Sequence, residues 1–94
     1  MDNPITLHDK TLAHLHRFIY ISRDIQYGAP FDITQDGIAM KLGISRSHVS
    51  IIISKMMAGE EVEASSSTIK KSSKMHRRKV YHLTNRGKEI YQSR

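Results

Sequence analysis

The sequence predicts one small domain of the α+β class, in which three helices precede an antiparallel hairpin and a short last helix. Apolar residues recur at helical spacing through the first two thirds of the chain, and two runs of β-compatible residues flank a polar stretch in the last third. A chain of 94 residues has room for one modest core, since a fold of this size buries only about 60–70% of its unfolded surface. We therefore expect residues 1–94 to form a single domain, and the length excludes a multidomain enzyme.

The first helix is predicted by a capping pattern followed by apolar periodicity. Thr6 and Asp9 are spaced as in a capping box. Apolar residues then recur at helical spacing as far as Ile25. These positions predict a helix from Leu7 to about Asp24, with an apolar arc wide enough to leave one side available for a partner.

A breaker cluster and a cap separate the first helix from the second. Residues 27–30 have the sequence Tyr-Gly-Ala-Pro, which interrupts regular structure. The alternation in Phe31–Ile33 predicts a short strand, and Thr34 after it is a favourable N-cap. The second helix is expected from Gln35 to about Leu42.

Residues 35–57 have the spacing of a helix-turn-helix, in which two short helices cross closely around a sharp turn. Gly43 marks the turn, Ser45 is placed to cap the third helix, and Gly59 ends that helix. Ala39 is small where the helices must cross. The positions expected to be buried are Ile38, Leu42, Ile44, Val49, Ile52, Ile53 and Met56.

The last third of the chain predicts a hairpin over residues 62–83 with a flexible polar tip around residues 72–73. His82 is interpreted as a residue of the strand surface. Thr84 then caps a last short helix, and Tyr91 on that helix is expected to pack it back onto the domain.

Basic charge is concentrated in the last quarter of the chain. Lys and Arg number 15 against 9 Asp and Glu, for a net charge of +6 with His neutral and an isoelectric point near 9.8. Residues 1–69 carry a net charge of −2, whereas residues 70–94 carry +8. This distribution indicates a polyanionic partner. Nucleic acid is the first expectation, and an acidic membrane surface is the second.

Catalytic and metal chemistry find no support in the sequence. The absence of Cys excludes disulfides, zinc knuckles and thiolate catalysis. No phosphate-binding glycine loop and no spacing typical of a catalytic triad is present. His14 and His16 flank Leu15, so they point to different sides of a helix and do not suggest a shared metal ion. We expect no enzyme, no cofactor and no metal site.

The sequence also gives no sign of a membrane segment. No apolar run reaches the roughly 18–20 residues that span a bilayer, and the N-terminus lacks a signal-peptide pattern. We therefore expect a cytoplasmic protein.

The helix-turn-helix, the basic hairpin and the sequence LTNRG at residues 83–87, with Tyr91 after it, resemble winged helix-turn-helix DNA-binding domains of the MarR-like kind. The resemblance covers about residues 12–93. Within it, TQDGIA at residues 34–39 and SRSHVS at residues 45–50 are similar to archaeal winged-helix regulators in particular.

This resemblance implies an α+β winged helix-turn-helix fold, with the third helix in the major groove of DNA and the hairpin, or wing, along the backbone or the minor groove. It implies sequence-dependent binding of double-stranded DNA in transcriptional regulation. Members of the family commonly dimerise through helices outside this core. The chain is therefore expected to form a homodimer or to be joined to a C-terminal effector domain absent from the sequence.

Helical geometry and the wing charge define the residues expected to contact DNA. Because the apolar positions of the third helix turn inward, its polar side faces outward. Arg46 is expected to contact a guanine or a phosphate, and Ile51 is placed to touch a thymine methyl group. The expected DNA-contacting residues are Ser45, Arg46, Ser47, His48, Ser50, Ile51, Ser54 and Lys55 in the third helix and Lys70, Lys71, Lys74, Arg77 and Arg78 in the wing.

Two other functions remain open at this point. Winged domains also mediate protein contacts, in which case Ile51 and the neighbouring serines would form the interface. The basic segment would also serve to bind RNA or a ribosome, although it has no aromatic platforms on which bases could stack.

Overall fold

The order of elements in the structure matches the predicted α+β class. The computed structural model describes residues 6–71 and 74–93, with the backbone alone described at residues 70, 71 and 74. Within these residues the elements are α1 (Leu7–His16), a 3-10 turn (Phe31–Ile33), α2 (Gln35–Leu42), α3 (Arg46–Ala58), β1 (Val62–Lys71), β2 (Lys74–Leu83) and α4 (Asn85–Gln92). None of the described helices is long and apolar enough to cross a membrane.

Each α-helix begins after a hydroxyl side chain that caps it. The hydroxyl accepts a hydrogen bond of 3.0–3.1 Å from the backbone N–H three residues later, which satisfies one of the donors that a helix leaves unpaired at its start. The capping residues are Thr6, Thr34, Ser45 and Thr84. These caps confirm all four predicted helix starts. Gly43 ends α2 with a φ of 69°, a conformation that favours glycine.

The core lies where the first three helices meet the base of the hairpin. α3 turns Val49, Ile53 and Met56 into it, and Ile52 packs at its edge. This arrangement confirms the predicted inward face of α3. The other buried apolar side chains are Leu12, Leu15, Ala29, Ile33, Ile38, Ala39, Val62, Ile69, Val80, Tyr81 and Leu83.

The predicted hairpin is present as an antiparallel sheet of β1 and β2. Its register runs from Val62 opposite Leu83, at the base, to Lys71 opposite Lys74 at the far end. The tip at residues 72–73, expected to be flexible, lies outside the described residues. We call this hairpin the wing.

The first helix is shorter than predicted, because α1 ends at His16 rather than near Asp24. Just beyond it, backbone N–H groups bond to carbonyls three residues back, in a series of tight turns. The aromatic and β-branched residues at 18–21 weaken a helix. Farther on, the N–H of Thr68 in β1 donates to the carbonyl of Gln26 over 2.9 Å. Bonding to the sheet therefore takes the place of further helix.

The segment before α2 is a 3-10 turn, which contradicts the strand predicted at Phe31–Ile33. The N–H of Thr34 donates to the carbonyl of Phe31 over 3.0 Å and closes the turn. Pairing of this segment with the wing is reduced to one bridge between Thr34 and Val80. Gly37 of α2 packs directly against the backbone of the turn. A close approach of the helix, rather than strand pairing, therefore shapes this segment.

His82 is buried, which contradicts its interpretation as a residue of the strand surface. It is 6% exposed, and its Nε2 lies 3.1 Å from the Oγ of Ser65 on β1. Residues 18–24 lie over this part of the sheet, where Arg23 and Glu63 form an ion pair of 2.7 Å. Burial lowers the pKa of His82 from its ordinary value of 6.5, because the imidazolium would lose its hydration; Glu63 opposes this effect and Arg23 adds to it.

We expect the His82→Gln variant to lose part of the pH dependence of stability. Because the pKa of His82 is lower in the folded protein, the unfolded chain takes up the proton first as the pH falls through 6.5. The free energy of unfolding then decreases, by at most about 1.4 kcal/mol per pH unit for one proton. Urea titrations at about pH 7.5 and about pH 5.5 measure this dependence in both proteins.

The matched control is His76→Gln, which changes an exposed position of the same strand. This variant should keep the pH dependence of the wild type. An equal dependence in His82→Gln would contradict the expected role of the buried imidazole.

Candidate nucleic-acid interface

The outer face of α3 is exposed along its whole length. Its residues point to solvent because the opposite face is packed in the core. All eight residues expected here to contact DNA are exposed, namely Ser45, Arg46, Ser47, His48, Ser50, Ile51, Ser54 and Lys55. Hydroxyl groups predominate on this face. Its exposed apolar residues are Ile51, which is 56% exposed, and, near the end of the helix, Met57 and Ala58. The face can therefore donate and accept hydrogen bonds and also offers apolar contacts.

Arg46, the first residue of α3, is held by two consecutive residues of α2. Its Nε lies 2.7 Å from Oδ1 of Asp36, and its backbone carbonyl accepts a hydrogen bond of 2.7 Å from the Nε2 of Gln35. The Arg46 side chain is 64% exposed and that of Asp36 is 32% exposed. The ion pair joins the Nε of Arg46 to the carboxylate of Asp36, while much of the arginine side chain stays exposed.

Arg46 borders three clefts. One, of about 470 Å³, lies beside α2, and its lining residues are Phe31, Asp36, Ala39, Met40, Gly43, Ile44 and Arg46. The other two adjoin the wing and the outer face of α3. The narrower one, of about 170 Å³, separates α2 from the wing, and its lining residues are Thr34, Gln35, Asp36, Arg46, Arg78, Lys79 and Tyr81. The wider one, of about 620 Å³, lies over α3, and its lining residues are Gln35, Arg46, Ser47, Ser50 and Ile51. The narrower cleft brings three cationic side chains together with one carboxylate, so its net charge suits an anionic group.

The wing supplies exposed cations from β2. Arg77 and Arg78 are exposed, as the sequence suggests, and Lys79 is exposed beside them although it is missing from the expected set. Arg78 and Lys79 line the narrower cleft with Arg46. The sequence feature that could have identified Lys79 is its position at the end of a basic run, directly before the buried Val80. The other expected wing contacts have side chains outside the described part of the chain; these are Lys70, Lys71 and Lys74.

Sequence reasoning also missed Gln35 and Asp36. Their contacts to Arg46 cross the turn of the helix-turn-helix, ten or eleven residues along the chain. In the sequence alone, Asp36 is only an acidic residue in the first turn of a helix, which stabilises the helix N-terminus. The one available signal is its opposite charge to Arg46 at the start of the next helix.

A separate basic groove of about 470 Å³ lies between α1, the end of α2 and α4. Its basic lining residues are Lys10, His14, Arg17 and Lys41. Tyr91 also lines it and stacks on His16, with ring centroids 4.4 Å apart. This contact confirms that α4 packs back onto the domain. Of the described residues lining this groove, none also lines the clefts beside Arg46.

Within residues 6–71 and 74–93, no group of three His, Asp or Glu side chains is placed to hold a metal ion.

No family model and no curated protein matches the sequence, but solved structures share its fold. A mutant of MepR from S. aureus has a TM-score of 0.68 and 19% identity, and covers 94% of this chain and 53% of that chain. A MepR mutant from a multidrug-resistant S. aureus clinical isolate has a TM-score of 0.67 and 18% identity, over 94% of this chain and 52% of that one. A protein from Ralstonia eutropha, to which DNA binding is provisionally ascribed, has a TM-score of 0.60 and 15% identity, over 93% and 91%.

The fold is thus the winged helix-turn-helix of MarR-type regulators, as the resemblance in the sequence implies. The chain spans about half the length of the MepR chains that it matches. At 15–19% identity, the similarity to these structures is evidence for a shared fold alone.

Proposed function

We propose that this chain binds double-stranded DNA in a sequence-dependent manner, as a transcriptional regulator or as the DNA-binding domain of one. The observation that carries the proposal is the narrower cleft, where Arg46 of α3 meets Arg78 and Lys79 of the wing. Cations from both DNA-facing elements of the fold converge there, beside an exposed helix. The similarity to MarR-type regulators supports the same function, and such regulators catalyse no reaction.

The dimensions of α3 suit the major groove. An α-helix with its side chains is about 10–12 Å across, which matches the groove width of about 12 Å. The 13 residues of α3 extend about 20 Å along the groove, at about 1.5 Å per residue. Ser47, Ser50 and Ser54 present hydroxyl groups that donate to phosphates or bond to either base of a pair. Ile51 supplies the apolar contact that a thymine methyl group requires. Their side chains thus form a mixed polar and apolar reading face.

The cationic residues are proposed to contact mainly the sugar–phosphate backbone. Arg46 contacts either a phosphate or a guanine base, and His48 and Lys55 flank the reading face. The wing lies along the backbone or in the minor groove, where its cations neutralise phosphates. These wing cations are Lys70, Lys71, Lys74, Arg77, Arg78 and Lys79.

Strong binding of a palindromic operator would require a second copy of the chain or a further domain. The chain spans about half of the MepR chains, and half-sites one helical turn apart need two recognition helices in a fixed relation. We propose that a homodimer or an additional effector domain holds the two recognition helices at this spacing. An isolated domain then binds its half-site weakly.

The function is tested by fluorescence anisotropy of a labelled generic DNA duplex with this chain across a salt series. Three or more phosphate contacts predict a plot of log affinity against log salt with a slope of about −2.7 or steeper. A labelled RNA hairpin of the same length provides the comparison. Failure to bind the duplex at about 50 mM salt, where several phosphate contacts give easily measured affinity, would overturn the proposal.

A protein-interaction module is the second candidate, favoured by the exposure of Ile51 in the middle of a largely polar face. Exposed apolar side chains at the centre of a polar rim are typical of protein interfaces. The titration separates the candidates, because a protein-binding face with a solvated wing would bind neither nucleic acid. Preference for the hairpin over the duplex would instead indicate RNA binding.

A further inference from the structure

An acidic side chain lies within the surface that we propose binds DNA. Asp36 lines the narrower cleft together with three cationic residues, and its negative charge opposes the approach of a phosphate. An acidic residue in the first turn of a helix also stabilises the helix N-terminus. That local effect does not account for the contact between Asp36 and the side chain of the next helix.

The contact fixes Arg46 at two points. The carboxylate of Asp36 lies 2.7 Å from the Nε of Arg46. Gln35 donates from Nε2 to the backbone carbonyl of the same arginine, also over 2.7 Å. The ion pair holds the guanidinium beside Asp36, and the hydrogen bond from Gln35 restrains the backbone at the start of α3. Arg46 is therefore restrained at its side chain and at its main chain.

We propose that Asp36 is a positioning residue that directs Arg46 to a guanine base rather than to a phosphate. This inference rests on the proposed DNA binding. With the Nε engaged by Asp36, the two Nη groups form the remaining fork, which matches the O6 and N7 acceptors of guanine end-on. The same carboxylate repels the phosphates that a freely rotating arginine would otherwise meet.

The inference predicts opposite changes in two kinds of affinity. In Asp36→Ala, Arg46 is released and one negative charge is removed from the cleft, so binding to a duplex without the preferred base should become tighter. The salt slope should steepen by about 0.9, the value for one added phosphate contact. Discrimination in favour of the preferred guanine should fall, and a good bidentate contact accounts for roughly 5- to 150-fold of such discrimination. A residue that only stabilised α2 would change all duplex affinities in the same direction.

The experiment begins with selection of preferred duplexes from a randomised library by the wild-type chain. Each guanine of the selected duplex is then replaced in turn by 7-deazaguanine, which lacks the N7 acceptor. Anisotropy titrations compare the wild type with Asp36→Ala and with the matched control Asp24→Ala, which removes a carboxylate of the same kind at an exposed position outside these clefts. Circular dichroism confirms that each variant is folded.

A second variant keeps the test independent of any effect on α2. Arg46→Lys retains the positive charge but lacks the planar fork, so it should bind generic duplex and lose the response to 7-deazaguanine. Combining it with Asp36→Ala should cause no further loss of discrimination, because both changes remove the same contact.

The expected result is one 7-deazaguanine position at which the wild type and Asp24→Ala lose affinity and Asp36→Ala does not. The inference is overturned if Asp36→Ala weakens every duplex equally, if it leaves the discrimination unchanged, or if the wild-type selection yields no preferred guanine. In those three outcomes, binding of the generic duplex still supports the proposed function. Absence of duplex binding by the wild type overturns the proposed function and this inference together.

Discussion

Changing Arg77, Arg78 and Lys79 to glutamate should lower the affinity for a generic duplex by about 100-fold or more near 0.1 M salt. Each of these side chains is exposed on β2, and two of them line the cleft beside Arg46. Glutamate replaces attraction to phosphates by repulsion, and each lost phosphate contact reduces the salt slope by about 0.9. Anisotropy titrations of the triple variant across a salt series measure both effects.

The matched control reverses three cations in the separate basic groove. Lys10, Arg17 and Lys41 line that groove, and changing them to glutamate alters the net charge by the same amount as the wing substitutions. If the position of the cations on the wing determines DNA binding, this control variant keeps most of its affinity for the duplex. Equal losses in the two triple variants would mean that overall charge, and not the wing, attracts the duplex.

Changing Gly37 to alanine should destabilise the domain by about 3 kcal/mol. In an ordinary helix the same change stabilises by about 1 kcal/mol, since alanine has the higher helix propensity. Here a Cβ at Gly37 would overlap the carbonyl oxygen of Phe31 and crowd the Cα of Asp32. Both are backbone atoms of the 3-10 turn, so neither can move aside as a side chain could. Urea unfolding should give the loss in stability, and the melting temperature should fall by roughly 12 °C or more.

Gly59→Ala is the corresponding control. At Gly59, which ends α3, an added Cβ lies 3.0 Å from the carboxylate oxygen of Glu61, the far end of a flexible side chain. The other carboxylate oxygen of Glu61 lies 2.7 Å from the Nε2 of His8, but the added Cβ requires a shift of only a few tenths of an ångström at the end of this side chain. The loss in stability should therefore stay below about 1 kcal/mol. If the Gly37→Ala protein were as stable as the Gly59→Ala protein, the prediction would be wrong. The backbone of the 3-10 turn before α2 would then be able to move away from an added Cβ at little cost in stability.

Features that depend on neighbouring residues are the ones that sequence reasoning predicted correctly. A capping hydroxyl accepts a hydrogen bond from an N–H three residues later. The capping roles of Thr34 and Ser45 can therefore be predicted from the residues of a single helical turn. The inward side of α3 follows in the same way from the periodicity of its apolar residues. The exposed outer face of α3 was predicted as the side opposite these apolar residues.

Several features decided by distant contacts were predicted wrongly or missed, although the packing of α4 through Tyr91 was predicted correctly. The end of α1 depends on a bond between Gln26 and Thr68, which are far apart in the chain. The burial of His82 depends on a segment some sixty residues earlier that lies over the sheet. The contact between Asp36 and Arg46 depends on the turn that brings the two residues together. Local pattern cannot distinguish these outcomes, because propensity is a weak determinant wherever tertiary contacts compete with it.

Each edge of the wing is occupied at one place. Thr68 of β1, three residues from the far end, bonds to Gln26 and Gly28, and Val80 of β2, three residues from the base, forms its bridge to Thr34. Elsewhere, no further strand among residues 6–71 and 74–93 pairs with either edge. Open strand edges of this kind are templates for aggregation, and charged side chains along them are a common protection.

The basic residues of the wing therefore have a consequence for solubility as well as for binding. Two copies that approached edge to edge would bring like charges from both wings into contact, and repulsion would disfavour the added strand pairing. Reversal of the charges to glutamate preserves this protection. Neutral replacements such as glutamine would remove it, so a neutral wing should lower the concentration at which the protein aggregates.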